Sequence, residues 1–296
     1  MLNDAHVHFF SPGFFDALGA QLKLPQEGRA AEVVKRAGWD DPGTSEALAD
    51  RWAAELDRHG VGRAAIIASL PGDETSVAAA LGRHPSRFVG FFMLNPTAED
   101  ALDRVRRALD AGLRGICLFP AMHGYPLGDE RVARVFALAA SRDARLFVHC
   151  GMLSVGVRKK LGLPSPFDLR LGHPLDLLEL ARRHPSLPII VPRFGAGFLR
   201  EALMLGDACS NVRFDTSSSN AWIRYTPGLT LAGVFRSALD VVGPDRLLFG
   251  TDSSYFPRGW TRDVYERQLK ALEEAAVPPD ARAKILGGNF ARLFTP

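Results

Sequence analysis

Eight short apolar runs, separated by amphipathic stretches, set the strongest limit on what this 296-residue chain can fold into. They are Leu2 to Phe9, Arg63 to Ala68, Phe88 to Leu94, Leu113 to Phe119, Arg145 to His149, Ile189 to Val191 with its flanks, Asn211 to Asp215 and Arg246 to Phe249. Continuous rather than alternating hydrophobicity predicts strands buried on both faces. Between them, Ala47 to Arg58 places Leu48, Trp52 and Leu56 on one helical face. Residues 98–111, 130–141, 174–183, 198–207, 231–242 and 261–275 read the same way. Thr97 ahead of Asp100 predicts a near capping box. The alternation predicts an α/β fold, a (β/α)8 TIM barrel forming a single domain over residues 1–296. A doubly wound sheet is the second reading, but the early Gly-rich fingerprint that would favour it is absent. Residues 9–45 and 150–172, after strands 1 and 5, are long loops, predicted to form lids over the C-terminal face.

Composition narrows the function classes. With 47% hydrophobic and 23% charged residues, the chain has material for a large core and does not read as disordered. Lys and Arg number 36 against 33 Asp and Glu, a balance that argues against nucleic acid as partner. No apolar run approaches the roughly 20 residues of a membrane helix, and the N-terminus lacks a signal-peptide pattern. Cys117, Cys150 and Cys209 show no metal spacing and no disulfide framework. A cytoplasmic protein acting on a small molecule is the expectation.

The chemistry-bearing residues sit at predicted strand ends. Asp4, His6 and His8 follow an i, i+2, i+4 spacing, which in a regular strand turns all three to one face, with Ala5 and Val7 packing outward. Asp252 ends strand 8, adjacent to strand 1 in a barrel, so it meets His6 and His8 at one rim. His149 closes strand 5 across the mouth. Three imidazoles and a carboxylate suit Zn²⁺ or a similar divalent ion.

The chain resembles the amidohydrolase superfamily, in the branch that includes aminocarboxymuconate-semialdehyde decarboxylase. The residues that carry the resemblance are Asp4, His6 and His8, then His149, Asp252 in Phe249 to Ser253, and the terminal run Ile285 to Phe294. It implies one divalent metal ion, Zn²⁺ in most members, held by His6, His8, His149 and Asp252. It also implies proton handling by Asp252, and suggests a homodimer. One position departs from the family pattern: Arg193 stands where strand 6 ends in a His. Arginine cannot serve as a general base. Beside a divalent ion about 5 Å away, at an effective dielectric near 20, it would cost on the order of 6 kcal/mol in repulsion. Arg193 therefore turns away, pairs with a carboxylate or weakens metal binding. Its role is then a clamp for a substrate carboxylate, a lesion, or a structural residue while His123 or His173 supplies the base.

Around these, His123, Trp222 and Arg258 are candidate substrate-binding residues, and Trp260 a further pocket aromatic. Arg158, Lys159 and Lys160 form a basic loop cluster, a solvated face or an attraction for anions. Asp215 to Asn220 supplies rim hydroxyls, and Cys150 packs opposite His149. The resemblance implies a metal-dependent hydrolase of C–N, ester or lactone bonds acting on a small carboxylate-bearing substrate, with Asp252 as a catalytic residue; Arg193, the departure from the family pattern, is the second catalytic candidate. The alternatives are a non-oxidative decarboxylase, and a degenerate ligand-binding barrel disabled by Arg193.

Overall fold

In a computed structural model, described for residues 1–218 and 220–294, eight parallel strands run in the order β1 to β8. They are β1 (Leu2–Phe9), β2 (Val61–Ala68), β3 (Phe88–Leu94), β4 (Gly115–Leu118), β5 (Arg145–Val148), β6 (Ile189–Val191), β7 (Val212–Asp215) and β8 (Leu247–Leu248). The last strand is too short to close the ring alone. Closure comes from the segment after it: Ala5 N–H donates to Phe249 O at 2.8 Å, Asp252 N–H to His6 O at 2.9 Å and His8 N–H to Ser253 O at 2.7 Å. The predicted TIM barrel is the fold observed.

Two apolar layers follow from the strand alternation. Ala65, Ile67, Phe91, Met93, Phe147 and Ile190 fill the barrel. Ala64, Ile66, Phe92, Ile116, Val148 and Ile189 point outward against the helices. The C-terminal helix Asn289–Phe294 plugs the floor with Phe290, Leu293 and Phe294. Arg145 donates to Leu293 O at 2.8 Å and Arg63 to Phe294 O at 3.4 Å, satisfying carbonyls at that helix's end, where positive charge is favoured.

Several expectations shift in detail. A helix at Glu74–Arg83 joins β2 to β3, where none was read, because its Ala-rich run is only weakly amphipathic. Thr97 caps nothing: its hydroxyl donates to Asn95 Oδ1 at 2.8 Å, and the helix starts later, at Ala101. The first long loop contains helices Pro12–Gln21 and Arg29–Ala37, and the second contains Gly156–Lys160. They meet where Arg158 Nη1 donates to Gln21 Oε1 at 2.6 Å and the Lys160 ammonium lies 5.9 Å from the Trp39 ring. The basic cluster thus joins the two loops, with the Arg158 guanidinium also donating to Pro164 O at 3.0 Å.

Candidate metal and substrate site

The β1 strand breaks the simple alternation. Its register against β2 slips between Asp4 and Val7, as in a bulge. Ala5 consequently faces into the barrel, where it packs with Ala65 and Ile67, while Val7 stays in the outer layer. Asp4 does not share the face of His6 and His8, as the spacing had predicted. It accepts from His6 N–H at 2.9 Å, Thr251 Oγ1 at 2.6 Å and Trp260 Nε1 at 2.7 Å. Complete burial pushes its pKa up to about 6 against those bonds. Its place is structural: it ties β1 to the segment after β8 that carries Asp252. Trp260, expected in the pocket, serves that tie instead.

His6 and His8 are aimed by partners on neighbouring strands. Asp215 Oδ2, at the end of β7, lies 2.9 Å from His6 Nδ1, and Ser217 Oγ lies 2.9 Å from the same atom. A carboxylate only accepts, so Nδ1 carries the hydrogen and Nε2 faces the site. Ser69 Oγ donates to Ile67 O at 3.0 Å and lies 2.8 Å from His8 Nδ1, which fixes the same tautomer in His8. The two Nε2 atoms then stand 3.3 Å apart, and Asp252 Oδ1 lies 3.3 Å from His6 Nε2 and 3.1 Å from His8 Nε2. Ligand atoms in a tetrahedral site with bonds of ~2.0–2.1 Å lie about 3.3 Å apart, so this donor set has the size of a divalent-metal site. His6, His8 and Asp252 form such a group among the described residues.

His149 stands outside that group of three. It follows β5 directly, is buried, and stacks on Phe119 with ring centroids 5.4 Å apart. Both of its ring nitrogens lack a hydrogen-bond partner, an uncommon state for a buried imidazole. Burial, and then the charge of Arg193, hold its pKa well below the usual range, so the ring is neutral and can donate and accept. A ligand or ion in the mouth would satisfy those nitrogens. Cys150 turns the other way, into the outer layer.

Arg193 is inside the site. Its Nη2 donates to Asp252 Oδ2 at 2.5 Å, the oxygen turned away from the imidazoles. Of the three sequence-based options, pairing with a carboxylate is the one realised. The backbone is bent to reach it: Arg193, Phe194 and Ala196 have φ of 55, 50 and 42°, left-handed values that cost a non-glycine residue roughly 1–2 kcal/mol each. Asp215 Oδ1 accepts the Arg193 N–H at 3.0 Å and holds the bend, while its other oxygen holds His6. The turn presses on the end of β5, where a Cβ on Gly151 would lie 2.2 Å from Gly195 O, and Gly151 has φ of 78°. Only glycine fits there.

Electrostatics divides the groups. Burial alone would raise the Asp252 pKa, but Arg193 and the two imidazoles outweigh it and hold the carboxyl far below its ordinary range. Burial disfavours protonation of His6, but Asp215 overrides it and the pKa rises. Burial wins at His8, which shifts down.

His8, Arg193 and Asp252 line the base of a cavity of about 590 Å³ between the two loops, with His6 directly behind His8 and Asp252. Its wall is mostly apolar, with Phe10, Phe14 and Trp39 from the first loop, Phe167 from the second and Phe256 from the segment after β8. His123 lines it, and its Nδ1 is buried without a partner. Burial holds its pKa down, at about 4. Trp222, Arg258 and His173 do not line it. Trp222 is buried beside the β6 turn, donating to Asn220 Oδ1 at 3.2 Å; Arg258 is exposed; His173 packs edge-on to Phe198. Sequence proximity to a strand end did not separate the mouth from the outer packing. Among the predicted rim hydroxyls, Ser217 reaches His6, Thr216 bonds Gln268, and Ser219 lies outside the described residues. Asp215 and Ser69 were missed as orienting groups. A short strand ending in a carboxylate, Val212 to Asp215, is a signal akin to the one that singled out Asp252; a lone serine carries none.

The profile described as Amidohydrolase matches residues 4–295. An uncharacterized TIM-barrel protein from Bordetella bronchiseptica superposes with a TM-score of 0.67 at 18% identity, over 99% of this chain and 98% of that one. For 5-carboxyvanillate decarboxylase from Sphingomonas paucimobilis the TM-score is 0.64 at 16% identity, over 99% and 98%. For an amidohydrolase from Burkholderia multivorans with bound zinc it is 0.64 at 17%, over 100% of both chains. Likeness at such identities establishes the fold. A stretch of 107 residues is 37% identical to inositol-tetrakisphosphate 1-kinase 4 from Oryza sativa subsp. indica, taking in 32% of this chain. The chain spans 28% of the length of that curated relative, too little to carry a function.

Proposed function

The chain belongs to the amidohydrolase family, and from that premise we propose that it is a metal-dependent hydrolase of C–N, ester or lactone bonds in a small carboxylate-bearing molecule. The observation that carries this reading is the convergence of His6 Nε2, His8 Nε2 and Asp252 Oδ1 at the base of a largely apolar cavity. These three would hold one divalent ion, Zn²⁺ by the chemistry of the donor set and by analogy with the zinc-bound neighbour. When bound, the ion supplies Lewis-acid polarisation of a substrate carbonyl and lowers the pKa of water. His149, with two open nitrogens, is the fourth candidate to meet the ion or the substrate.

The chain's own residues set the remaining conditions. Asp215 and Ser217 fix His6, and Ser69 fixes His8. A substrate seated against the apolar wall would displace water from the reacting centre, which strengthens every charge interaction there. Asp252 is the residue to accept a proton at a carboxylate oxygen. Its pairing with Arg193 makes it a weak base, so release from Arg193 is part of any hydrolytic cycle.

A second reading, non-oxidative decarboxylation, draws support from the same ion pair. Loss of CO2 needs no activated water, and a guanidinium at the mouth suits a leaving carboxylate. The test is a zinc-supplemented preparation assayed on two panels, aryl esters and lactones for hydrolysis and aromatic carboxylic acids for CO2 release. Hydrolysis abolished by His8→Ala supports the first reading; CO2 release alone supports the second. Absence of metal in the purified protein together with inactivity on both panels would sink the enzymatic proposal and leave a ligand-binding barrel.

A further inference from the structure

We propose that Arg193 is the specificity-determining residue of the cavity and selects a monocarboxylate with a large apolar body. This deepens the proposed function, on which it rests for the idea that the cavity takes a substrate. Three observations carry it. Arg193 lines the cavity, and of its guanidinium Nη2 alone is engaged, by Asp252. A guanidinium offers five donors, so pairing with Asp252 leaves it able to take a second carboxylate without first breaking that pair. Second, the other cation at the cavity is already used: Arg158 donates to Pro164 O and to Gln21 Oε1, joining the two loops. One open cation favours one carboxylate over two.

Third, the rest of the wall offers little that a polar substrate would want. Phe10, Phe14, Trp39, Phe167 and Phe256 come from three separate segments and enclose the space in front of Arg193. The polar exceptions beyond the metal group and the two arginines are uncharged: His123, held neutral, Ser69, committed to His8 and Ile67, Gln21, bonded to Arg158, Ser254, bonded to Phe256 O, and Ser154. An acid with an aryl or branched alkyl body satisfies both ends. Its head meets the guanidinium, and its body replaces water on the aromatic wall. A small hydrophilic acid would leave that wall wet, and a neutral amide would bring no charge to the guanidinium.

The experiment is calorimetric titration with 2-naphthoate, its neutral isostere 2-naphthamide, naphthalene-2,6-dicarboxylate and acetate. It is run on the protein as purified and again after treatment with a chelator. The expected order places 2-naphthoate about ten-fold or more ahead of the amide and of the dicarboxylate, with no measurable binding of acetate. The preference should survive chelation. In the double variant Arg193→Leu, Asp252→Asn, which removes both partners of the ion pair, acid and amide should bind equally. Circular dichroism confirms that the variant is folded, and Arg193→Gln with Asp252→Asn is the milder replacement if it is not. Equal affinity for acid and amide in the unmodified protein overturns the proposal. So does an acid preference that persists in the double variant, one that disappears with the metal, or a lack of heat with either naphthyl ligand. Because binding is read without turnover, a protein that hydrolyses esters yet shows no acid preference fails this inference alone. One that prefers the acid but turns over nothing fails only the proposed activity.

Discussion

The guanidinium of Arg193 and the carboxylate of Asp252 are joined at 2.5 Å through the one Asp252 oxygen that the two imidazoles do not use. A single carboxylate thereby serves two cations, the guanidinium on Oδ2 and whatever the His6 and His8 nitrogens gather on Oδ1. The arrangement reconciles a positive side chain with a metal site, because Asp252 stands between them. It also withdraws electron density from the oxygen offered to a metal, and it would place a fixed positive charge near any ion bound there.

Removing that charge should strengthen metal binding. Arg193→Gln keeps an uncharged donor on a shorter side chain and deletes the repulsion, which is on the order of several kcal/mol before screening by Asp252. A rise in zinc affinity of at least about ten-fold is expected, measured by competition with a chromophoric chelator. An unchanged or lower affinity would show that Arg193 helps by orienting Asp252 more than it hinders by charge.

Asp215 should matter as much as a ligand does. It accepts from His6 Nδ1 with one oxygen and from the Arg193 and Ser217 amides with the other, so it sets an imidazole and the β6 turn together. Asp215→Asn can still accept through its carbonyl oxygen, but it removes the charge that favours the Nδ1–H tautomer. Metal affinity should fall by about 10–100-fold. Arg193 should also loosen from Asp252, seen as an increase in the protease sensitivity of the turn. Loss of neither would assign Asp215 a packing role.

Much of the barrel was legible because its strands are buried on both faces. Phe88 to Leu94 and Ile189 to Val191 have no polar face to confuse the reading, and the strands fall on those residues. The site was legible where a polar residue stands near the C-terminal end of such a run or just beyond it, as His8, His149 and Asp252 do. What could not be read is the bulge after Asp4, which no local spacing announces and which sends Asp4 outward and Ala5 in. Nor could the pairing of Arg193 be chosen from its alternatives, since it depends on a left-handed turn held by a carboxylate from another strand. Trp222 and Arg258 failed as pocket residues for a related reason. A loop can return a side chain to the mouth or tuck it beneath, and the sequence writes both alike.

His123 gives the cavity a pH signature. Its pKa is about 4 in the folded chain, lowered by burial, against 6.5 for an unperturbed imidazole. A base whose folded pKa is depressed stabilises the fold fully above its unfolded value. As pH falls from about 6.5 toward 4 the unfolded chain takes up a proton that the folded chain refuses, and stability declines. The loss attributable to this group is up to about 3 kcal/mol. His123→Asn, which cannot titrate, should flatten the fall in urea-unfolding free energy between pH 6.5 and 4 relative to the unmodified chain. An identical slope in both proteins would place the imidazole in contact with water.

Arg193, at the turn after β6, offers the sharpest test of whether the chain turns over substrate at all. Arg193→His places an imidazole at the end of β6 and frees Asp252 Oδ2, so the carboxyl loses its strongest charged partner and its pKa rises toward the ordinary range. A less depressed carboxylate is a better base. If Arg193 is a lesion, hydrolytic activity should appear or increase in the variant, with kcat rising more than KM changes, because the gain lies in proton transfer. If Arg193 is instead the substrate's carboxylate clamp, the variant should lose kcat/KM for acids by about ten-fold or more while neutral esters are unaffected. The two outcomes move the same assay in opposite directions. A variant that binds zinc, folds and remains inert toward both classes would mean that the chemistry of this barrel lies outside hydrolysis, and decarboxylation would then be the reaction to pursue.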